Sequence, residues 1–109
     1  TTVKTITNTT IAIIATDAVL DKAQCKRLAI AAHDGFARAI WPAHTPMDGD
    51  LIFAVASGKS GIQPSDNDWI DLCAYAASTL SRAVARGVYE ATKAPNDLFE
   101  TYKNFVANT

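Results

Sequence analysis

The chain has 109 residues, of which 49% are hydrophobic and 19% charged, with a formal net charge of −1. That is one domain at most. The composition argues against a disordered chain and against an electrostatic binder of nucleic acid or membrane surfaces. Apolar runs such as residues 11–15 fall far short of the roughly 20 residues that cross a bilayer. The first eight residues are mostly polar with one lysine and do not read as a signal peptide. Two cysteines cannot staple a scaffold, and no Cys/His cluster has zinc spacing. The expectation is a reduced, cytoplasmic protein without metal or cofactor. The chain starts with Thr1 rather than Met, and six of its first ten residues are Thr. Such a start fits processing, truncation or a boundary set by preparation.

Residues 1–10 read as an edge strand or a flexible lead-in. Residues 11–15 are short, apolar and rich in β-branched side chains, which predicts a buried strand turning at Thr16-Asp17. A helix is expected over residues 21–40, with Asp21 as N-cap and Leu20, Leu28, Ala32, Phe36 and Ile40 at helical spacing. Its many alanines offer small faces to a neighbour, and Pro42 stops it. Residues 44–50 read as a loop with a tight turn at Asp48-Gly49. Leu51–Ala56 is a second strand, apolar on both faces, which calls for a sheet covered on both sides. Ser65 caps a long helix expected over residues 66–93, and residues 97–107 read as a short amphipathic helix. Two strands cannot provide such a sheet alone. The rest of it is therefore expected on another polypeptide.

Several constellations bear on chemistry. Ser57-Gly58-Lys59-Ser60 follows a strand, but Phe53 stands where a phosphate loop needs Gly, and Gly61 and Pro64 follow instead of a helix. A solvated loop accounts for it. Cys25 and Cys73 read as structural thiols, Trp41 and Trp69 as packing residues, and His33 as a satisfied helix histidine. His44 is more open, in a loop beside Asp48 and Asp50. Those two carboxylates, two residues apart before a buried strand, can orient an amine or a hydroxyl or can simply form a polar turn. A Thr hydroxyl needs a base beside it to act as a nucleophile. When Thr is the first residue of a chain its own α-amine, with an ordinary pKa of about 7.7–8.0, is that base. Such an amine is exposed only after a precursor is cut.

Several motifs then fall in one order: Asn8-Thr9-Thr10-Ile11; Ala15-Thr16-Asp17-Ala18; Leu28-Ala29; Ala32-His33-Asp34-Gly35-Phe36-Ala37-Arg38-Ala39-Ile40; Pro42-Ala43-His44-Thr45-Pro46-Met47-Asp48-Gly49-Asp50; Phe53-Ala54; and Ala85-Arg86-Gly87-Val88-Tyr89-Glu90-Ala91-Thr92. Over roughly residues 8–93 the chain resembles the C-terminal part of the L-aminopeptidase/D-esterase family. That family includes β-peptidyl aminopeptidases and 6-aminohexanoate-oligomer (nylon oligomer) hydrolase. The resemblance implies an α/β fold, a layered α-β-β-α sandwich completed with a larger N-terminal α chain cut from the same precursor. Residues 1–8 are then a lead-in or processing linker, and residues 9–109 the β-chain half of one domain.

The resemblance further implies autocleavage at Asn8-Thr9, Thr9 as nucleophile and base, and Asp48 and Asp50 as catalytic support. His44 is a possible further support. Thr1 is the alternative nucleophile, since a cut before Thr9 would remove residues 1–8. The implied assembly is a tetramer of αβ units acting on small peptides or oligoamides, without nucleic acid or membrane. An acyltransferase subunit like the ornithine acetyltransferases, or a non-catalytic interaction subunit, are the competing expectations.

Overall fold

The computed structural model describes residues 9–108. Thr1 and Asn8, with the expected lead-in, lie outside the described residues. The order of elements is β1 (Ile11–Thr16), α1 (Lys22–Ala39), β2 (Leu51–Ala56), α2 (Asp66–Glu90) and α3 (Tyr102–Ala107). The chain is thus α/β, as its pattern predicts. β1 and β2 pair in parallel and in register, from Ile11 against Leu51 to Thr16 against Ala56. Parallel neighbours need a crossover, and α1 provides it.

The caps lie where short-range chemistry puts them. The Asp21 carboxylate accepts the Gln24 N–H at 2.7 Å, and the Gln24 side chain accepts the Asp21 N–H at 3.0 Å. This reciprocal box satisfies two donors that a helix start leaves open. Ser65 accepts from the Asp68 N–H at 3.2 Å, and Asp66 and Asp68 place negative charge in the first turn of α2, where the helix dipole favours it.

Both long helices pack on one face of the sheet. Ile14 of β1 and Ile52 of β2 join Leu28, Ala29, Ala32 and Phe36 of α1 and Ala76 and Leu80 of α2 in one buried cluster, with Ala12 and Ala54 against it. Alternation along a strand sends the intervening side chains the other way. Ile11, Ile13, Leu51, Phe53 and Val55 are exposed there, Ile13 to 66% and Phe53 to 54%. The expectation of cover on both sides is therefore met on one side only among the described residues, because both helices follow the same face.

The helix pair meets most tightly at Gly35. A Cβ there would lie 2.5 Å from the Ala77 carbonyl oxygen and 2.9 Å from Leu80 Cβ. The alanines of α1 soften the approach, but Gly35 sets it.

Three expectations are corrected. The last helix starts at Tyr102, not at 97. Asp97 is spent on a local turn, where its carboxylate accepts the Ala94 N–H at 2.6 Å, and Thr101 caps the helix instead, accepting from Asn104 at 3.2 Å. α2 ends at Glu90, because Ala91 is already extended. The turn in the loop before β2 lies at Pro46-Met47, closed by the Asp48 N–H donating to the Thr45 carbonyl at 3.0 Å, rather than at Asp48-Gly49. Proline presets the backbone of a turn's second position.

Gly35→Ala should destabilise the fold by about 1–3 kcal/mol through overpacking, despite the roughly 1 kcal/mol that alanine gains over glycine in a helix. A lowered melting temperature by circular dichroism checks this.

Candidate active site at the start of the strands

The register of the sheet decides which polar residues meet. Because Ile11 faces Leu51, the residues just before them, Thr10 and Asp50, stand side by side at the N-terminal end of the pair. The Leu51 N–H donates to the Thr10 carbonyl at 2.9 Å. The Thr10 N–H donates to Asp50 Oδ1 at 3.2 Å. Thr10 is thus held on both sides, and Thr9, exposed, precedes it directly.

The second oxygen of Asp50 is also engaged. Oδ2 lies 3.1 Å from His44 Nδ1, and the Asp50 side chain is only 8% exposed while that of His44 is 41% exposed. A carboxylate so buried requires partners, and Asp50 has one at each oxygen. His44 faces α1 through its Nε2, 3.4 Å from the His33 carbonyl oxygen. Its ring meets that of His33 at 5.2 Å and that of Phe36 at 6.2 Å between centroids. His44 adopts φ 57°, a left-handed backbone that few residues other than glycine adopt and that asparagine, aspartate and histidine adopt most readily among them.

Asp48 is placed differently. Its Oδ2 accepts the Thr45 N–H at 3.0 Å, so its carboxylate closes the Pro46-Met47 turn. The two carboxylates that spacing makes look alike therefore have different partners. Only the strand register, which fixes the residue before Leu51 opposite Thr10, tells them apart. Sequence reasoning treated His33 as a packed helix histidine. Its ring does pack edge-on against Phe36 at 5.6 Å, but its carbonyl, which carries no sequence signal, also receives His44.

Beside Thr10 opens a groove of about 610 Å³, lined among others by Val84, Val88, Leu98, Phe99 and Tyr102. It offers apolar surface next to the strand start. The opposite end of the sheet carries a loop tied down by hydrogen bonds to the backbone. Ser60 donates through both its hydroxyl (2.8 Å) and its N–H (3.0 Å) to the Asp17 carbonyl, and the Val19 N–H donates to Ile62 at 2.8 Å. The Gly58-Lys59-Ser60 segment is thereby a structural loop, with Gly58 at φ 69°. Away from the site, burial pushes the Cys73 thiol up, partly opposed by the charge of Arg27, which keeps it in the unreactive thiol form. Among the described residues no group of three or more His, Cys, Asp or Glu side chains could hold a metal ion, and no helix is long and apolar enough to cross a membrane.

These features define an α/β chain with a bare sheet face and a carboxylate–imidazole pair at the head of its two strands. The chain belongs to Peptidase family S58, whose family model matches residues 2–98. It is 49% identical over 94 residues to proteins named uncharacterized aminopeptidase from Mycobacterium bovis and from Mycobacterium tuberculosis, a match covering 77% of this chain and 27% of each relative. A protein of the same name from Mycobacterium leprae is 61% identical over 51 residues, covering 47% of this chain and 14% of the relative. The chain thus spans about a quarter of the length of the curated relatives it matches.

Asp50→Ala removes two hydrogen bonds to a carboxylate, from the part-buried Thr10 N–H and from the partly exposed His44, and should cost about 1–3 kcal/mol. Asp48→Ala opens only a turn contact and should cost about 1 kcal/mol or less. Urea denaturation of the two variants side by side checks the order.

Proposed function

We propose that this chain is the smaller half of a self-processing amide hydrolase in which Thr9 is the nucleophile. The observation that carries the reading is the clamp on Thr10. A buried carboxylate and a strand hydrogen bond fix the backbone directly after Thr9, which is what a nucleophile carried at a chain start requires. Membership of Peptidase family S58 and relatives named as aminopeptidases support the hydrolytic class.

In the uncut chain the Thr9 nitrogen is in peptide linkage to Asn8. Self-cleavage begins when the Thr9 hydroxyl oxygen attacks the Asn8 carbonyl carbon. The C–N bond breaks, the Thr9 nitrogen takes up the proton, and an ester joins Asn8 to Thr9 Oγ. Water hydrolyses that ester, leaving a carboxyl group on Asn8 and a free α-amine on Thr9.

In turnover the same hydroxyl attacks the substrate amide while the Thr9 α-amine accepts its proton. The tetrahedral intermediate collapses, the C–N bond breaks, and the leaving amine receives that proton. Water then hydrolyses the acyl-enzyme and restores the hydroxyl. A negative charge beside the α-amine would favour its protonated form and remove the base. In Asp50 each oxygen already has a partner, the Thr10 N–H on Oδ1 and His44 Nδ1 on Oδ2. Asp48 supports the loop on which Asp50 and His44 stand. Oxyanion donors come from the larger chain of the same precursor. That chain also covers Ile11, Ile13, Leu51, Phe53 and Val55, completing an α-β-β-α sandwich that assembles as a tetramer of αβ units. Short peptides or oligoamides of the nylon-oligomer kind are the substrates, with an apolar portion lying in the groove beside Thr10.

Thr9→Ala in the full-length precursor should abolish self-cleavage, read by intact mass, and lower amidase activity by at least about 10³-fold, whereas Thr1→Ala should change neither. Continued cutting in the Thr9 variant overturns the assignment. Phe53→Glu, which puts a charge on the bare sheet face, should prevent the small chain from co-purifying with its larger partner, and intact co-purification counts against that interface.

A further inference from the structure

The geometry points to His44 as a positioning residue that locks the Asp50 carboxylate onto the Thr10 N–H and so aims Thr9. This rests on the reading of Thr9 as nucleophile. A carboxylate held by one oxygen can still swing about its side-chain torsions. Asp50 is held by both, with Thr10 N–H on Oδ1 at 3.2 Å and His44 Nδ1 on Oδ2 at 3.1 Å. Asp48 is turned to its own loop, where its Oδ2 accepts from the Thr45 N–H, and the imidazole pairs with Asp50 instead.

His44 is itself anchored from a different element. The His33 carbonyl of α1 faces its Nε2, and its ring lies against His33 and Phe36. Phe36 is fully buried at 0% exposure. The hydrophobic core is therefore linked through Phe36, His44 and Asp50 to the backbone next to the nucleophile. This matters because a misplacement of about 1 Å can cost a reaction about 10²-fold.

The variants separate positioning from mere structure. Asparagine tolerates the left-handed backbone that His44 adopts, and its amide nitrogen takes the place of Nδ1, so His44→Asn keeps the bond to Asp50. His44→Gln carries its donor farther out, where Nε2 stood, towards His33 rather than Asp50. His44→Ala has neither.

Each variant is made in the full-length precursor. The small chain is sequenced from its N-terminus, and the processed enzyme is assayed on an L-amino acid p-nitroanilide. The expected result is a kcat lowered about 10- to 100-fold in His44→Ala and His44→Gln, with KM within about twofold, and a kcat close to wild type in His44→Asn. If His44→Ala fails to fold, the contrast between Asn and Gln decides. Unchanged kcat in His44→Gln, a loss confined to KM, or a failure of His44→Asn to exceed His44→Gln overturns the role of His44 while leaving Thr9 in place. A wild-type small chain that begins elsewhere than Thr9 overturns both.

Discussion

Thr10 and Asp50 meet because two parallel strands begin level with each other, and most of the molecule follows from that register. Parallel pairing forces a crossover, so α1 must leave β1 at its far end and return the chain to the starting edge before β2 can form. The loop that makes this return, residues 40–50, is thereby delivered to the same edge as Thr9. Its polar residues are not scattered by the fold. They are stacked between the end of α1, which contributes the His33 carbonyl, and the first hydrogen bond of the sheet, Leu51 to Thr10. Shifting the register by one residue would flip one strand's inward and outward sets relative to the other's and would also part Asp50 from Thr10.

The same pairing explains the one-sidedness of the core. With Ile14 and Ile52 directed at α1 and α2, the alternate residues meet no covering element among the described residues, and five large apolar side chains stand on the open face. Parallel sheets are normally buried on both faces, and two strands are too few to hold a sheet by themselves. An apolar face of this kind marks a contact surface.

Local chemistry made the helix starts and strands readable. Asp21, Ser65 and the β-branched runs act over three or four residues, and each element they delimit begins where its cap predicts. Failures came where two local signals competed. The pattern at Asp97 predicts a helix, but a short acidic side chain closes a turn on Ala94 as readily as it caps a helix. Pro46 outweighed Gly49 in placing the turn. Gly35 is a different kind of miss, since only the approach of Ala77 and Leu80 gives its missing side chain a meaning. Asp48 and Asp50 were legible as a pair but not as individuals. What distinguishes them is a neighbour forty positions earlier in the chain, Thr10, and spacing carries no information about that.

Open parallel sheets usually bind ligands beyond the carboxyl ends of their strands, where this chain carries the loop that Ser60 ties to Asp17; its carboxylate–imidazole pair lies at the amino ends. Under the proposed role this placement has a plain cause. A nucleophile that also supplies its own α-amine must be the first residue of a chain, and if a strand follows it directly, it can only stand at that strand's amino end. Support for such a residue must then come from whatever else reaches that edge. In a parallel pair that is the residue preceding the neighbouring strand and the loop leading to it, which here are Asp50 and His44.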